Sequence, residues 1–219
     1  RLVGSEMCIR DRVLPVLRER MIYLTKEICD SYDFGDNEHY VDYEKIYLSR
    51  FKVLKIAFDN AREQGLTEPG DYQKFLTENA YWLDDYALYM AVKNSFGGVC
   101  FMEWDEDIRL RKAAALRKYR KKLAEEIAFY CFQQYLFAKQ WKELKAYANK
   151  KGIGIVGDIP IYVAFDSADT WANPKLFQLD KEGRPIGVAG CPPDCFSETG
   201  QLWGNPLYDW SYHKKTGYA

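Results

Sequence analysis

The stretch that decides the fold is Ile153-Gly154-Ile155-Val156-Gly157-Asp158-Ile159-Pro160, a short apolar run that contains β-branched side chains. It follows a long helical pattern that stops at Gly152. Such a run, placed between helical and loop sequence, predicts a strand buried in a parallel sheet. Because a helix followed by a buried strand is half of an α/β unit, the sequence predicts an α/β fold.

The sequence before this run is helical in character. Apolar residues recur every three or four positions, which predicts helices over about 13–34, 41–64, 72–79, 80–95 and 106–150. We expect Asp71 to cap the helix at 72–79, and Gly97-Gly98 to end the helix at 80–95. The last segment is long enough that we expect one break, near Arg111-Lys112.

After the run, a Gly- and Pro-rich stretch extends to residue 210, and we expect brief order only at 167–177. Asp166 or Ser167 is placed to cap a short helix there, with Asp169 in its first turn. The stretch is rich in Trp, Phe and Tyr, which argues against disorder. Long loops in compact domains usually carry function.

Composition excludes several classes of protein. The formal net charge is −1, so the basic surface of a nucleic-acid-binding protein is absent. No apolar run is long enough to span a membrane. Six cysteines without a visible secretory leader favour reduced thiols and a cytoplasmic location, with a plastid location left open. Residues 1–12 resemble a translated adapter and are interpreted as a non-native scar.

Asp158 is the first candidate for a functional side chain. It stands at the end of the predicted strand, where barrel folds place their sites, and its carboxylate could accept hydrogen bonds from sugar hydroxyls. The structural alternative is that Asp158 is a helix or turn cap for the segment that follows.

The loop around Trp203 is the second candidate. Trp203 lies among glycines, either as an anchor that pins the loop or as a stacking platform for a ligand. Gln201 and Asn205 beside it supply donors and acceptors that suit a hydroxyl-rich ligand, or hydrogen bonds within the loop.

The pair Cys191 and Cys195 does not predict a metal site. The spacing is C-x₃-C, and no second pair or nearby His completes four ligands, so we expect free thiols and no metal. Nucleophile-elbow, phosphate-loop, dinucleotide-binding and zinc-protease motifs are also missing from the sequence.

Several strings together resemble one family over about residues 23–219. They are Gly157-Asp158-Ile159-Pro160-Ile161-Tyr162, Asp166-Ser167-Ala168-Asp169, Trp171-Ala172-Asn173-Pro174, Pro192-Pro193-Asp194 and Gly200-Gln201-Leu202-Trp203-Gly204-Asn205-Pro206. This set resembles glycoside hydrolase family 77, the 4-α-glucanotransferases. The last string argues against another starch-acting barrel hydrolase.

The resemblance implies a (β/α)₈ TIM barrel with a large helical insertion, here truncated before the catalytic strands. It divides the chain into a helical subdomain at 13–112 and a partial barrel at 113–219. It also implies transfer of α-1,4-glucan segments with retention and no cofactor. Malto-oligosaccharides and maltodextrin would be substrates, and glucose an acceptor.

The resemblance assigns binding roles but no catalytic residue. Retaining transfer needs a carboxylate nucleophile and a second carboxyl as acid and base. The family's strings for these groups do not occur in residues 1–219, so both are expected beyond Ala219. Asp158, Gln201, Trp203 and Asn205 match sugar-site positions. Cys195 and Phe196 match the tip of the loop that covers the glucan, where the family usually has Tyr in place of Cys195. The alternative function is a non-catalytic sugar-binding or pseudo-enzyme fragment.

Overall fold

The computed structural model describes residues 23–37, 39–67 and 70–218. These residues are mostly helical. The helices are α1 (Lys26–Asp30), α2 (Tyr43–Glu63), α3 (Asp71–Ser95), α4 (Glu106–Arg109), α5 (Ala113–Lys122), α6 (Ala124–Lys150), α7 (Ala168–Ala172) and α8 (Trp210–Lys215), with 3₁₀ turns at Phe101–Glu103 and Pro174–Leu176. The strands are β1 (Val188–Cys191) and β2 (Gln201–Pro206).

The chain forms two compact units that alternate along the sequence. One contains the described residues up to Ala80 together with Phe129–Val156. The other contains Tyr81–Ala128 and the described residues from Gly157 onward. The proposed scar at 1–12 and the first part of the predicted helix at 13–34 lie outside the described residues.

The first unit is centred on aromatic side chains of α2 and α6. Phe58 is fully buried, and its ring centroid lies 5.7 Å from that of Phe129 and 5.5 Å from that of Phe132. Tyr72 packs edge-on against Phe132 at 6.3 Å. Ala57 and Ala61, on α2, are also fully buried. The predicted helix at 41–64 is therefore confirmed as α2, whose N-cap Asp42 accepts a hydrogen bond from the Lys45 N–H.

The prediction of separate helices at 72–79 and 80–95 is wrong. A single helix, α3, runs from Asp71 to Ser95. No glycine or proline interrupts these residues, and most of them have good helix propensity, so nothing stops the helix once it has started. The predicted end at Gly97-Gly98 is confirmed, since both glycines have positive φ.

The segment 106–150 breaks twice rather than once. The break at Arg111-Lys112 was predicted, and it separates α4 from α5. The second break is at Leu123, where φ is −110° and ψ is 27°. No glycine or proline marks Leu123 in the sequence, so no local signal predicts this break. The predicted stop at Gly152 is confirmed, with φ at 75°.

The predicted buried strand at 153–160 is not formed. These residues have no regular secondary structure and are exposed, and Val156 is 97% exposed. A parallel strand needs a neighbouring backbone to pair with. Among the described residues the strands are β1 and β2, which pair with each other.

The hairpin of β1 and β2 is a feature that the sequence did not predict. The strands are antiparallel, with Gly190 opposite Leu202 and Cys191 opposite Gln201. Val188 pairs with Pro206, so Trp203, Gly204 and Asn205 lie opposite Ala189 alone. This bulge bends β2 and turns its side chains away from a regular alternation.

The second unit is centred on two tryptophans. Trp104 and Trp171 are buried with ring centroids 5.7 Å apart, and Tyr89 contacts both rings. The indole N–H of Trp171 donates to the carbonyl of Ile108 at 3.2 Å. This bond fixes α7 to the end of α4.

Asp166 anchors the segment that precedes α7. Its carboxylate accepts hydrogen bonds from the Tyr89 hydroxyl at 2.6 Å, from the Phe101 N–H at 3.2 Å and from the Lys93 ammonium. Partial burial acts to raise the pKa of Asp166, but these three donors outweigh it and lower the pKa below the ordinary 3.8. Burial, together with the bond to Asp166, raises the pKa of Tyr89, so its phenol remains a donor. Of the two predicted caps of α7, Ser167 is confirmed, because its side chain accepts from the Thr170 N–H.

The first prediction concerns the two glycines of the hairpin that have positive φ. At Gly200, with φ at 74°, a Cβ would lie 2.6 Å from the Cys191 carbonyl oxygen. At Gly204, with φ at 76°, a Cβ would meet nothing within 4 Å. We expect Gly204→Ala to lower the free energy of unfolding by about 1–2 kcal/mol through backbone strain alone. Gly200→Ala should lower the free energy of unfolding by about a further 1–3 kcal/mol, because the added Cβ would also overlap the Cys191 carbonyl oxygen.

Urea titration of both variants checks this order. Gly154→Ala is the matched control, because Gly154 has no positive φ and open space around it, and it should change stability by less than about 0.5 kcal/mol. Equal losses at Gly200 and Gly204 would contradict the described register of the hairpin.

The second prediction concerns Asp166. Because its pKa is lowered in the folded state, its stabilisation is complete above the ordinary pKa of 3.8 and is lost as the pH falls through the lower, folded value. Asp166→Asn should therefore lower the free energy of unfolding by about 1–2 kcal/mol at pH 7. Below pH 4, the free energies of unfolding of the variant and the unchanged chain should approach each other.

The measurement is the free energy of unfolding at a series of pH values from 7 to 3. Asp84→Asn, which removes an exposed carboxylate on the same helix as Tyr89 and Lys93, is the control and should change the free energy of unfolding at pH 7 by less than about 0.5 kcal/mol. A constant difference between the Asp166→Asn variant and the unchanged chain at every pH would show that the charge of Asp166 does not matter.

Candidate functional site

The tip of the hairpin is held by its own hydrogen bonds. The Asp194 carboxylate accepts from the backbone N–H groups of Phe196 and Ser197 at 2.8 and 2.9 Å. The Ser197 hydroxyl donates to the Gly200 carbonyl at 2.8 Å. The turn is thus closed from inside, and it presents Cys195 and Phe196 to solvent, with Phe196 89% exposed.

Beside the tip, Gln201 and Trp203 act as one surface. The indole N–H of Trp203 donates to the Gln201 side-chain oxygen at 3.0 Å. Trp203 is 47% exposed, so one part of its ring is packed and another is open to a ligand. Both of the alternatives considered for Trp203, anchor and platform, are therefore compatible with its position.

Asn205 joins the hairpin to the segment that begins at Gly157. Its side-chain amide donates to the Val163 carbonyl at 2.8 Å. One residue earlier, the Tyr162 ring lies 6.4 Å from the Trp203 ring. The structure therefore brings Gln201, Trp203 and Asn205 together with this segment.

Asp158 lies on the same segment but is held differently. It is exposed, and its Oδ1 accepts from the N–H of its neighbour Ile159 at 2.8 Å. A helix or turn cap would accept from an N–H two or three residues further on, so this bond is not the capping contact considered from the sequence. It leaves the carboxylate at the surface, four residues before Tyr162.

Two tyrosines that were not predicted as site residues extend the aromatic surface. Tyr162 and Tyr208 stack with ring centroids 5.9 Å apart and planes at 16°. Tyr208 in turn stacks on Phe177 at 5.4 Å and contacts the Trp210 ring at the same distance. Tyr162 ends one of the quoted strings and Tyr208 stands two residues after another, but only the fold shows that their rings meet.

The hairpin has few charged residues, and all of them are negative. Between Val188 and Pro206 the charged residues are Asp194 and Glu198, and there is no lysine or arginine. A phosphate or carboxylate ligand would require cationic partners. Aromatic rings with amide and carboxylate groups suit a neutral, hydroxyl-rich ligand instead.

The described residues offer neither a metal site nor a membrane-spanning helix. Within residues 23–37, 39–67 and 70–218, no group of three or more His, Cys, Asp or Glu side chains could hold a metal ion. Cys191 and Cys195 are free thiols, the first partly buried and the second exposed. No helix in the described part of the chain combines the length and apolar character needed to cross a bilayer.

Comparison with known proteins gives a consistent result. The family model described as 4-alpha-glucanotransferase, of glycoside hydrolase family 77, matches residues 6–219. The match extends further towards the N-terminus than the motifs, which begin near residue 23. The chain is 46% identical over 206 residues to a 4-alpha-glucanotransferase of Clostridium butyricum, covering 94% of this chain and 42% of that protein.

Two further relatives extend the comparison. The 4-alpha-glucanotransferase, chloroplastic/amyloplastic, of Solanum tuberosum is 47% identical over 138 residues, which cover 63% of this chain and 24% of that protein. The solved structure of amylomaltase from Streptococcus agalactiae in complex with acarbose is similar with a TM-score of 0.84 and 43% identity, over 90% of this chain and 40% of that one. This chain spans less than half the length of these relatives, and by sequence and by fold it belongs to the 4-alpha-glucanotransferase family, glycoside hydrolase family 77.

Proposed function

We propose that this chain is part of a 4-α-glucanotransferase that transfers α-1,4-glucan segments between malto-oligosaccharides by a retaining double displacement. The observation that carries the proposal is the hairpin surface. It presents exposed aromatic rings beside amide groups, without any cation, in a chain of this family. Such a surface can stack on sugar rings and exchange hydrogen bonds with their hydroxyls.

The proposed binding residues fall into two groups. Phe196, Trp203 and Gln201 would contact the glucan directly, because their side chains are exposed. Asn205 would act by tethering the segment that carries Asp158, through its bond to the Val163 carbonyl. Cys195 offers neither a ring nor a phenolic hydroxyl at the tip, so Phe196 supplies the stacking surface there.

We further propose that residues 113–219 contribute to a (β/α)₈ barrel and that residues 13–112 form its helical insertion. Support comes from the exposed apolar side chains at 153–161, which in water would favour burial. In a barrel, the strand predicted at 153–160 would gain the neighbours that it lacks here. The nucleophile and the general acid/base would come from sequence outside residues 1–219, as the family resemblance implies.

A reducing compartment, cytoplasmic or plastid, fits this proposal. No disulfide bond joins the cysteines of the described residues. Disulfides are rare in reducing compartments.

The activity test uses a protein that contains this chain together with the remainder of the relatives' length. Incubation with maltotriose should give glucose together with malto-oligosaccharides longer than maltotriose. Glucose and maltose alone would show a hydrolase and overturn the transferase assignment. Binding of maltoheptaose without any turnover would favour the non-catalytic alternative.

The third prediction tests the hairpin surface. Trp203→Ala should raise the dissociation constant for maltoheptaose about tenfold. The reason is that a stacking ring contributes about 1.4 kcal/mol, which corresponds to a tenfold change in affinity. Isothermal titration calorimetry measures the dissociation constant. Tyr81→Ala is the matched control, since Tyr81 is an exposed aromatic residue on α3 rather than on the hairpin, and it should leave the affinity unchanged.

Trp203→Phe separates the two roles of Trp203. If the ring is a platform, phenylalanine should restore most of the affinity while losing the bond to Gln201. An unchanged dissociation constant for Trp203→Ala would reject the platform and leave the anchor role.

A further inference from the structure

Positive and negative charges are segregated along this nearly neutral chain. The formal net charge is −1, yet one stretch carries only cations and another carries carboxylates without any lysine or arginine. The basic residues within 109–122, which contains no Asp or Glu, are Arg109, Arg111, Lys112, Arg117, Lys118, Arg120, Lys121 and Lys122. The acidic residues within 27–44, which contains no Lys or Arg, are Glu27, Asp30, Asp33, Asp36, Glu38, Asp42 and Glu44.

The basic stretch includes α5, whose cations lie on its exposed side. The buried residues of α5 are Ala115 and Tyr119. Because successive residues of an α-helix are about 100° apart, Arg117, Lys118 and Lys121 lie on the opposite side, and all three are exposed. Together with the exposed Lys122 at their edge, they form the basic face of α5.

The basic face is not neutralised within the described part of the chain. Neighbouring cations have partners, since Lys112 pairs with Asp107 at 2.6 Å and Arg120 lies 3.8 Å from Asp85. Among the described residues, no carboxylate forms an ion pair with any of the four cations of the basic face. The basic face is therefore open to an anionic partner from outside the chain.

Helix stability accounts for only part of the basic face. Cations in the last turn of a helix interact favourably with its dipole, which gives Lys121 and Lys122 a local role. Arg117 and Lys118 lie before that turn, and each is four residues from another cation of the face. Like charges at that spacing destabilise a helix. An anionic partner would relieve this repulsion.

The acidic stretch forms a surface at the start of α2. The Lys45 ammonium pairs with Asp33 at 2.8 Å, and the Ser49 hydroxyl donates to the Asp33 carbonyl at 2.6 Å, so the loop before α2 lies against that helix. Asp33, and to a smaller extent Asp36, raise the pKa of Lys45, so both carboxylates are close to it. Asp36 and Glu44 are exposed, and no cation of the described residues pairs with either. Asp33, Asp36 and Glu44 are the acidic surface.

A second copy of this chain suits the basic face better than other anionic partners do. A nucleic-acid-binding domain is usually basic overall, whereas this chain has a net charge of −1. An amphipathic helix binds a membrane through its apolar side, and that side of α5 is buried in the fold. A second copy carries an exposed acidic surface, so that contact would bring opposite charges together on both chains.

We propose that the basic face of α5 in one chain binds the acidic surface of a second copy. The two surfaces are different, so the contact is heterologous and can repeat from one copy to the next. Exposed ion pairs each contribute little, so the association is weak, and salt screens it. The proposal does not depend on the proposed glucan transfer.

Sedimentation equilibrium of the unchanged chain measures this association. In about 20 mM sodium chloride, the weight-average mass should rise with protein concentration above the 25.6 kDa of one chain. In about 300 mM sodium chloride, where the Debye length is about 6 Å, the dissociation constant should be at least about tenfold higher. A monomer at low salt would overturn the proposal. Association that is unchanged at high salt would also overturn it, and would indicate the exposed apolar residues at 153–161 instead.

Charge reversal locates the basic side of the contact. The double change Lys118→Glu and Lys121→Glu should abolish the association at low salt, with circular dichroism to show that the helices are retained. The matched control is Lys142→Glu with Lys145→Glu, which reverses two exposed lysines of α6 and alters the net charge equally. The control should still associate. Equal loss of association in both double variants would show that net charge alone is responsible, and the proposal would be wrong.

Charge reversal on the acidic surface gives an independent test that leaves α5 unchanged. The double change Asp36→Lys and Glu44→Lys should also abolish the association. An equimolar mixture of this variant with the α5 variant should associate again, because one supplies an intact basic face and the other an intact acidic surface. Failure of the mixture to associate would overturn the pairing. An unchanged chain that stays monomeric but binds a fluorescent oligonucleotide or a polyglutamate peptide would show a different anionic partner, and the proposal would be wrong.

Discussion

The carboxylate of Asp166 is the constraint on which the second unit depends. Three donors from α3 and from the turn after it converge on this one side chain. The next residue, Ser167, caps α7, and α7 carries Trp171 into the aromatic core. Because three hydrogen bonds fix the position of Asp166, they also fix the position of the backbone immediately before and after it.

Residues shortly before Asp166 connect this anchor to the hairpin. Val163, three residues before Asp166, receives the amide of Asn205. Tyr162 contacts the ring of Trp203. The aromatic surface is therefore assembled from two segments far apart in sequence, and neither segment has a helix of its own to hold it in place. Side-chain hydrogen bonds, rather than regular secondary structure, hold these segments in place.

Local signals in the sequence were reliable guides to this fold. The cap at Ser167, the break at Arg111 and the glycine stops at Gly97 and Gly152 depend on a few neighbouring residues, and each was predicted. The strand predicted at 153–160 depends on pairing with backbone distant in sequence, and that prediction failed for this reason. The hairpin of β1 and β2 was not predicted from the sequence. At the site, residue types pointed to Gln201, Trp203 and Asn205. The stack of Tyr162 and Tyr208 could not be predicted, because no local pattern reports which rings meet.

The hairpin tip has a practical consequence of a different kind. Cys195 is exposed, whereas the other cysteines of the described residues are buried or partly buried. The turn that carries it is closed by the Asp194 carboxylate, so a group attached to the sulfur would sit on an ordered support. Among the cysteines of the described residues, this thiol should react first with a maleimide dye or a thiol-reactive nitroxide label, because thiol labelling follows exposure. The chain thus carries a natural attachment point for a spectroscopic probe, next to Phe196 and on the hairpin that bears Trp203.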